Sequence, residues 1–173
     1  MLELKLQTPI EEIRNNLNLN DNDWKTMIYC NCYAFALGID MERILLNDNA
    51  FIPGFLAEKE LKYYSSKHYR KYNELLEHID YDLDALGLEH KQVDPNYELS
   101  PEEWKIAIFT QRQWNKVYDF HFLRQTKNGI WLHKKGWNGD ITNKDYKDRI
   151  ITSPNRCDMS KRKYEKTLCL KLK

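Results

Sequence analysis

The chain has 173 residues, 42% hydrophobic and 13% aromatic, with eleven Tyr and five Trp. That length suits one domain able to bury a core without covalent staples, and so many aromatics argue against disorder despite a mean hydropathy of −0.77. Charge is abundant but balanced, 27 Lys and Arg against 26 Asp and Glu for a net +1, so no nucleic-acid partner is expected.

No run of about 18 apolar residues is present, and no membrane span is expected. No charged region followed by an apolar one opens the chain as in a secretory signal, so a cytoplasmic location is expected, with export by another route left open. Cys30, Cys32, Cys157 and Cys169 are then expected as reduced thiols. Neither Cys-x-x-Cys nor a Cys/His set at zinc spacing occurs, and neither a metal nor a cofactor is expected.

In chain order, Leu2, Leu4 and Leu6 alternate with charged residues like an edge strand. Thr8-Pro9-Ile10-Glu11 supplies a cap, a first-turn proline and an acid for a helix reaching about Leu17. The polar stretch 18–23 reads as a turn, since it lacks the glycine and distal glutamate of a calcium loop. Then comes Tyr29-Cys30-Asn31-Cys32-Tyr33-Ala34-Phe35-Ala36-Leu37-Gly38. Asn31 suits an N-cap and Gly38 a left-handed helix end, which predicts a short buried helix opening on Cys32. A thiol in that first turn is expected to lean toward thiolate, the nucleophilic form. The rival Cys30 would precede the helix and lie beyond its N–H groups. The bland alternative is that Cys32 is one more small buried residue.

Ile52-Pro53-Gly54-Phe55 reads as a turn. From about Leu56, apolar residues through Leu61, Tyr72, Leu75, Ile79, Leu83 and Leu86 predict one bent helix or two short ones, stopped by Gly87. His68, His78 and His90 are expected to be exposed. Leu88–Val93 is extended, residues 100–103 suit a single helical turn, and Trp104–Thr110 is strand-like.

Two β-prone runs, 117–125 and 130–136, flank Thr126-Lys127-Asn128-Gly129 and predict a hairpin. A three-residue loop would place His121 and His133 on one face, opposed or diagonal; a two-residue turn would separate them unless a bulge intervened. Asp119 and Arg124 flank His121 as an ion pair, substrate contacts or solvated charges. Beyond Trp137 a Gly/Asn-rich loop leads to Lys161-Arg162-Lys163, read as a solvated run, and to a last strand on Leu168, Leu170 and Leu172 whose lysines suit an edge.

A cysteine opening a short helix, followed by a sheet carrying one histidine and a second a dozen residues later, resembles the NlpC-type branch of the papain-like cysteine hydrolases. The resemblance covers roughly 24–40 and 104–136. The phrase Asp119-Phe120-His121-Phe122-Leu123-Arg124-Gln125, with Gly129-Ile130-Trp131-Leu132-His133-Lys134 after it, also looks like a pattern in uncharacterised bacterial and phage proteins of that group. The resemblance implies Cys32 as nucleophile, His121 as base and His133 as the residue orienting it. Two departures stand out: Asn31-Cys32-Tyr33 replaces the family's usual small neighbours, and the helical stretch at about 56–86 is long.

The expected architecture is therefore a single α+β domain over 1–173, papain-like, with a helical part at about 9–87 packed on an antiparallel sheet at about 88–173. The expected activity is a cysteine peptidase or amidase, or an acyltransferase, working on a peptide, protein or other amide through a thioester. Tyr33, Trp131 and Arg124 are the candidate substrate contacts, with Trp131 on the same face as His133 either walling a cleft or packing in the core. A catalytically silent binding or inhibitor protein on the same fold is the alternative.

Overall fold

Among the described residues beyond Gly87, six antiparallel strands hold about half: β1 (Leu88–Val93), β2 (Glu103–Gln113), β3 (Lys116–Gln125), β4 (Trp131–Lys134), β5 (Ile141–Thr142) and β6 (Lys163–Leu172). They lie in the order β1-β6-β2-β3-β4-β5, every neighbouring pair antiparallel. The computed structural model describes residues 10–17, 27, 30–39, 51–56, 71–136 and 139–173. Among these, the helices are α1 (Ile10–Asn15), α2 (Cys32–Leu37) and α3 (Tyr72–Ala85). The chain is thus α+β, as its composition of runs suggests. The strand expected at Leu2–Leu6, the turn at 18–23, residues 57–70 of the long helical pattern and His68 fall outside the described residues.

Local chemistry sets the ends of α2. Asn31 Oδ1 accepts from the Tyr33 and Ala34 amides at 3.1 and 2.9 Å. Gly38, at φ 80°, closes the far end: its own amide donates to Phe35 O, and that of Ile39 to Ala34 O. All six residues of this helix are buried. Gly87, at φ 69°, follows the last turn of α3.

The sheet is covered on both faces. On one, Ile106, Ile108, Phe122, Leu132 and Leu170 pack with the helices in the larger core. On the other, Ala107, Phe109, Leu123 and Trp131 meet Ile151 and Met159 from the segment between β5 and β6. Trp131 is therefore a core residue, 1% exposed, and does not wall a cleft.

Three other expectations are corrected. β6 is no edge, because it lies between β1 and β2; Lys163 and Lys171 sit toward its ends, so their charge reports the sheet's rim. Residues 100–103 form a turn rather than a helical turn, with Glu103 N on Ser100 O. His78 and His90 are half-buried, His78 because its ring packs where a Gly54 side chain would stand.

Asp82 ties the helical layer together. Buried in α3, its carboxylate accepts from the Tyr33 hydroxyl at 2.8 Å, from Gly54 N at 2.7 Å and from Leu56 N at 2.8 Å. Burial raises its carboxyl to about 7, against the pull of those donors. Asp82→Ala would orphan three buried donors, each costing about 1–3 kcal/mol. We expect urea unfolding to show a loss of about 3 kcal/mol or more for Asp82→Ala and about 1 kcal/mol for Tyr33→Phe.

Candidate active site

The loop between β3 and β4 decides where the two imidazoles stand. Thr126 N donates to Ile130 O at 2.9 Å and encloses three residues, the last of them Gly129 at φ 81°. Arg124 therefore pairs with Leu132, which leaves His121 and His133 diagonal on one face. Their rings meet at 85° with His121 Nε2 and His133 Nδ1 2.8 Å apart, and His133 Nε2 lies 2.8 Å from Lys144 O. A carbonyl only accepts, so His133 holds its proton on Nε2 and offers Nδ1 as acceptor. His121 then donates from Nε2, and its Nδ1 keeps a lone pair.

Both rings are held neutral. Burial lowers His121 well below its ordinary value, with His133 and Arg162 adding to it. Burial likewise lowers His133, and the Lys144 carbonyl opposes that. Tyr146 packs against both rings at 6.5 and 6.0 Å, and its own ring carries Lys135 and Arg162 at 5.5 and 5.8 Å. Arg162 also pairs with Asp119 at 2.7 Å.

Cys32 reaches this neighbourhood from the helical side. β3 pairs with β4 only at Arg124 and Gln125, and farther along that edge a backbone hydrogen bond from Phe122 is directed at the Cys32 thiol. The sulfur thus lies beside the residue that follows His121, and the Arg162 guanidinium acts on Cys32, His121 and His133 alike. Among the described contacts no hydrogen bond joins the sulfur to either imidazole.

The thiol itself departs from expectation. Cys32 is 6% exposed, and burial raises it to about 11 against the Phe122 hydrogen bond and Arg162. It rests as a thiol, because desolvation outweighs the helix end. Two of the first-turn amides, those of Tyr33 and Ala34, are occupied by Asn31. Cys30 is fully buried and its thiol turns back onto Met27 O at 3.1 Å.

The remaining candidates lie elsewhere. Tyr33 is fully buried between Phe122 and Phe51. Arg124 is on the opposite face from the imidazoles, its guanidinium over the Trp104 ring. Asp119 pairs with Arg162, not Arg124. Sequence reasoning missed Tyr146, the Lys144 carbonyl and Arg162, the last having been read as part of a solvated run. It also missed Lys134, buried with Nζ on Gly136 O and Gly139 O at 3.2 and 2.5 Å. No spacing announces a backbone carbonyl as a histidine partner. Among the described residues, no cluster of His, Cys, Asp or Glu is placed to hold a metal, and no helix is long and apolar enough to cross a membrane.

A family model for a domain of unknown function (DUF7689) matches residues 22–151. No curated protein and no solved structure matches the chain.

The loop bearing Lys144 and Tyr146 is organised by Asp145. Its Oδ1 accepts from Lys147 N and Arg149 N at 2.9 and 3.0 Å, and its Oδ2 from Asp158 N at 3.1 Å and the Arg149 guanidinium at 2.8 Å. Burial pushes the Asp145 carboxyl up, but these donors outweigh it and hold it well below the carboxylate range. A carboxyl lower in the folded than the unfolded chain contributes stability above its unfolded value, about 4, and loses it as pH falls further. Thermal unfolding between pH 2 and 6 is expected to show a shallower acid limb for Asp145→Asn than for the wild type.

Proposed function

The chain belongs to that DUF7689 family, a domain of unknown function, and we propose that it is a cysteine-dependent amide hydrolase or acyltransferase in which Cys32, His121 and His133 act together on a peptide bond. The papain-like assignment of its α+β fold belongs to the same proposal. The observation that supports it is the chain of hydrogen bonds from Lys144 O through His133 to His121, which leaves a lone pair on His121 Nδ1 for the role of base. A buried pair of histidines whose tautomers are fixed by one carbonyl is what a general base requires.

The reaction starts from neutral partners. His121 Nδ1 takes the proton of the Cys32 thiol as sulfur attacks the carbonyl carbon. A C–S bond forms, the carbonyl electrons move to oxygen, and Arg162 stabilises the resulting anion. Collapse breaks the C–N bond, and the amine leaves with the proton from His121. Water, deprotonated by His121, then cleaves the thioester, and the proton returns to sulfur. His133 keeps the His121 ring in one tautomer, and Tyr146 packs against both rings.

The second reading, a catalytically silent binding protein, is favoured by the near-complete burial of the Cys32 sulfur and its raised thiol. One experiment separates the two. Brief treatment with p-nitrophenyl acetate followed by peptide mass mapping is expected to leave an acetyl group on Cys32 ahead of Cys30, Cys157 and Cys169. His121→Ala should slow that acylation by about 10²-fold, the usual worth of a general base, with circular dichroism unchanged. Slow, equal acylation of all four thiols would overturn the hydrolase reading in favour of the binder.

A further inference from the structure

β1 stands at one end of the sheet and, among the described residues, pairs with β6 alone. Lys173 N donates to Gly87 O at 3.0 Å, which continues the β1–β6 register by one pair and shows which residues that ladder bonds. Bonded and unbonded residues alternate along an antiparallel pair. Glu89, Lys91 and Val93 therefore turn their backbone groups toward β6, and Leu88, His90 and Gln92 turn theirs outward. Glu89, Lys91 and Gln92 are exposed, and no hydrogen bond among the described residues uses the outer row. An open edge of this kind is a template for another strand.

The charges along β1 select the strand that fits. A two-fold pairing of β1 with itself must set outward residues against outward residues, which leaves few registers. With His90 opposite its own copy, Leu88 faces Gln92 of the second copy, and Glu89 faces Lys91 of that copy at two equivalent places. One step along, Glu89 would oppose Glu89; one step in the opposite sense, Lys91 would oppose Lys91. Unlike charges directly across a ladder are favourable and like charges are not, so a single register is preferred. Glu89 makes no ion pair among the described residues. Lys91 gives hydrogens to Tyr97 Oη at 2.8 Å and Glu103 at 3.3 Å, and its ammonium group has a third to give. On the helical side α3 packs against β1. Two of its acids are met within the chain, Asp80 3.8 Å from His90 Nδ1 and Asp84 3.7 Å from Lys173. The far edge, β5, offers only two residues, too few to take β1 of another molecule head to tail.

We propose that β1 pairs with β1 of a second copy of this chain, antiparallel and with His90 on the two-fold axis, so that two six-stranded sheets become one. This interface lies at the opposite end of the sheet from β4 and β5, and it does not depend on the cysteine chemistry.

Sedimentation equilibrium tests it, at loadings up to about 100 μM, where a dissociation constant of about 10 μM leaves most of the protein paired. The wild type is expected to fit a monomer–dimer equilibrium. Glu89→Lys and Lys91→Glu should each weaken dimerisation at least about tenfold. An equimolar mixture of the two variants should recover it, because each strand of the mixed pair again opposes Lys to Glu. Gln92→Pro removes an outward amide without touching the β6 ladder, and it should also weaken the dimer with circular dichroism unchanged. A wild type that stays monomeric throughout would overturn the proposal. So would a mixture no more dimeric than its separate components, or a dimer indifferent to all three substitutions.

Discussion

Each residue of β3 serves one of two opposite cores, because side chains along a strand alternate with a period of two. Phe122 lies against Tyr33 in the helical layer, 4.7 Å between ring centres, while Leu123 belongs to the core on the other side. A slip of one residue would exchange these sets, thrusting His121 into the aromatic layer and Phe122 among polar groups. Burial on both faces thus fixes the register more firmly than the backbone ladder alone. The three-residue loop after Thr126 agrees with that register and carries it into β4. The pairing of His121 with His133 is a consequence of where Phe122 and Leu123 must go.

A polar pair inside such a sheet is tolerable only when every hydrogen has an acceptor. The Lys144 carbonyl meets that condition at one stroke, since it takes the His133 proton and sets every tautomer upstream. That carbonyl is held in turn by a loop wound on Asp145, whose two oxygens gather three backbone amides and the Arg149 guanidinium. An ionised, buried carboxylate therefore stands behind a neutral imidazole pair. Arg162 enters the same region already paired with Asp119, which lessens the cost of bringing a cation close to buried rings.

The local elements were legible where one residue type has one physical use. Asn31 and Gly38 marked the ends of α2, Gly87 the end of α3, and the Asn128-Gly129 turn the hairpin. The hairpin pattern also narrowed the two histidines to one face on condition of an odd loop, and that condition holds. What stayed hidden depended on contacts distant in sequence. Nothing about Lys161-Arg162-Lys163 says that its middle residue turns inward to Asp119 and Tyr146 while its neighbours face water. The lysines of β6 suggested an edge, but charge near strand ends reflects the rim of a sheet, not its order. Trp131 and Tyr33 suit substrate contacts by residue type, with core packing an equal alternative for Trp131, yet large rings in a chain of this size are needed first to fill the cores.

The state of Cys32 shows how two correct rules are ranked by magnitude. The end of a six-residue helix offers a nearby thiolate about 0.3–1 kcal/mol. A rise from 9.0 to about 11 corresponds to roughly 3 kcal/mol against it, so burial prevails. The same burial keeps His121 unprotonated, and the two effects act together: each disfavours its own charged form, so neither partner ionises ahead of the other. Under the hydrolase reading, proton transfer must then accompany attack on the carbonyl. Arg162 does not favour the resulting ion pair as a whole, because it steadies the thiolate while opposing the imidazolium. The imidazolium persists while the negative charge sits on the substrate oxygen, so Arg162 steadies one partner and opposes the other until His121 gives its proton to the departing amine.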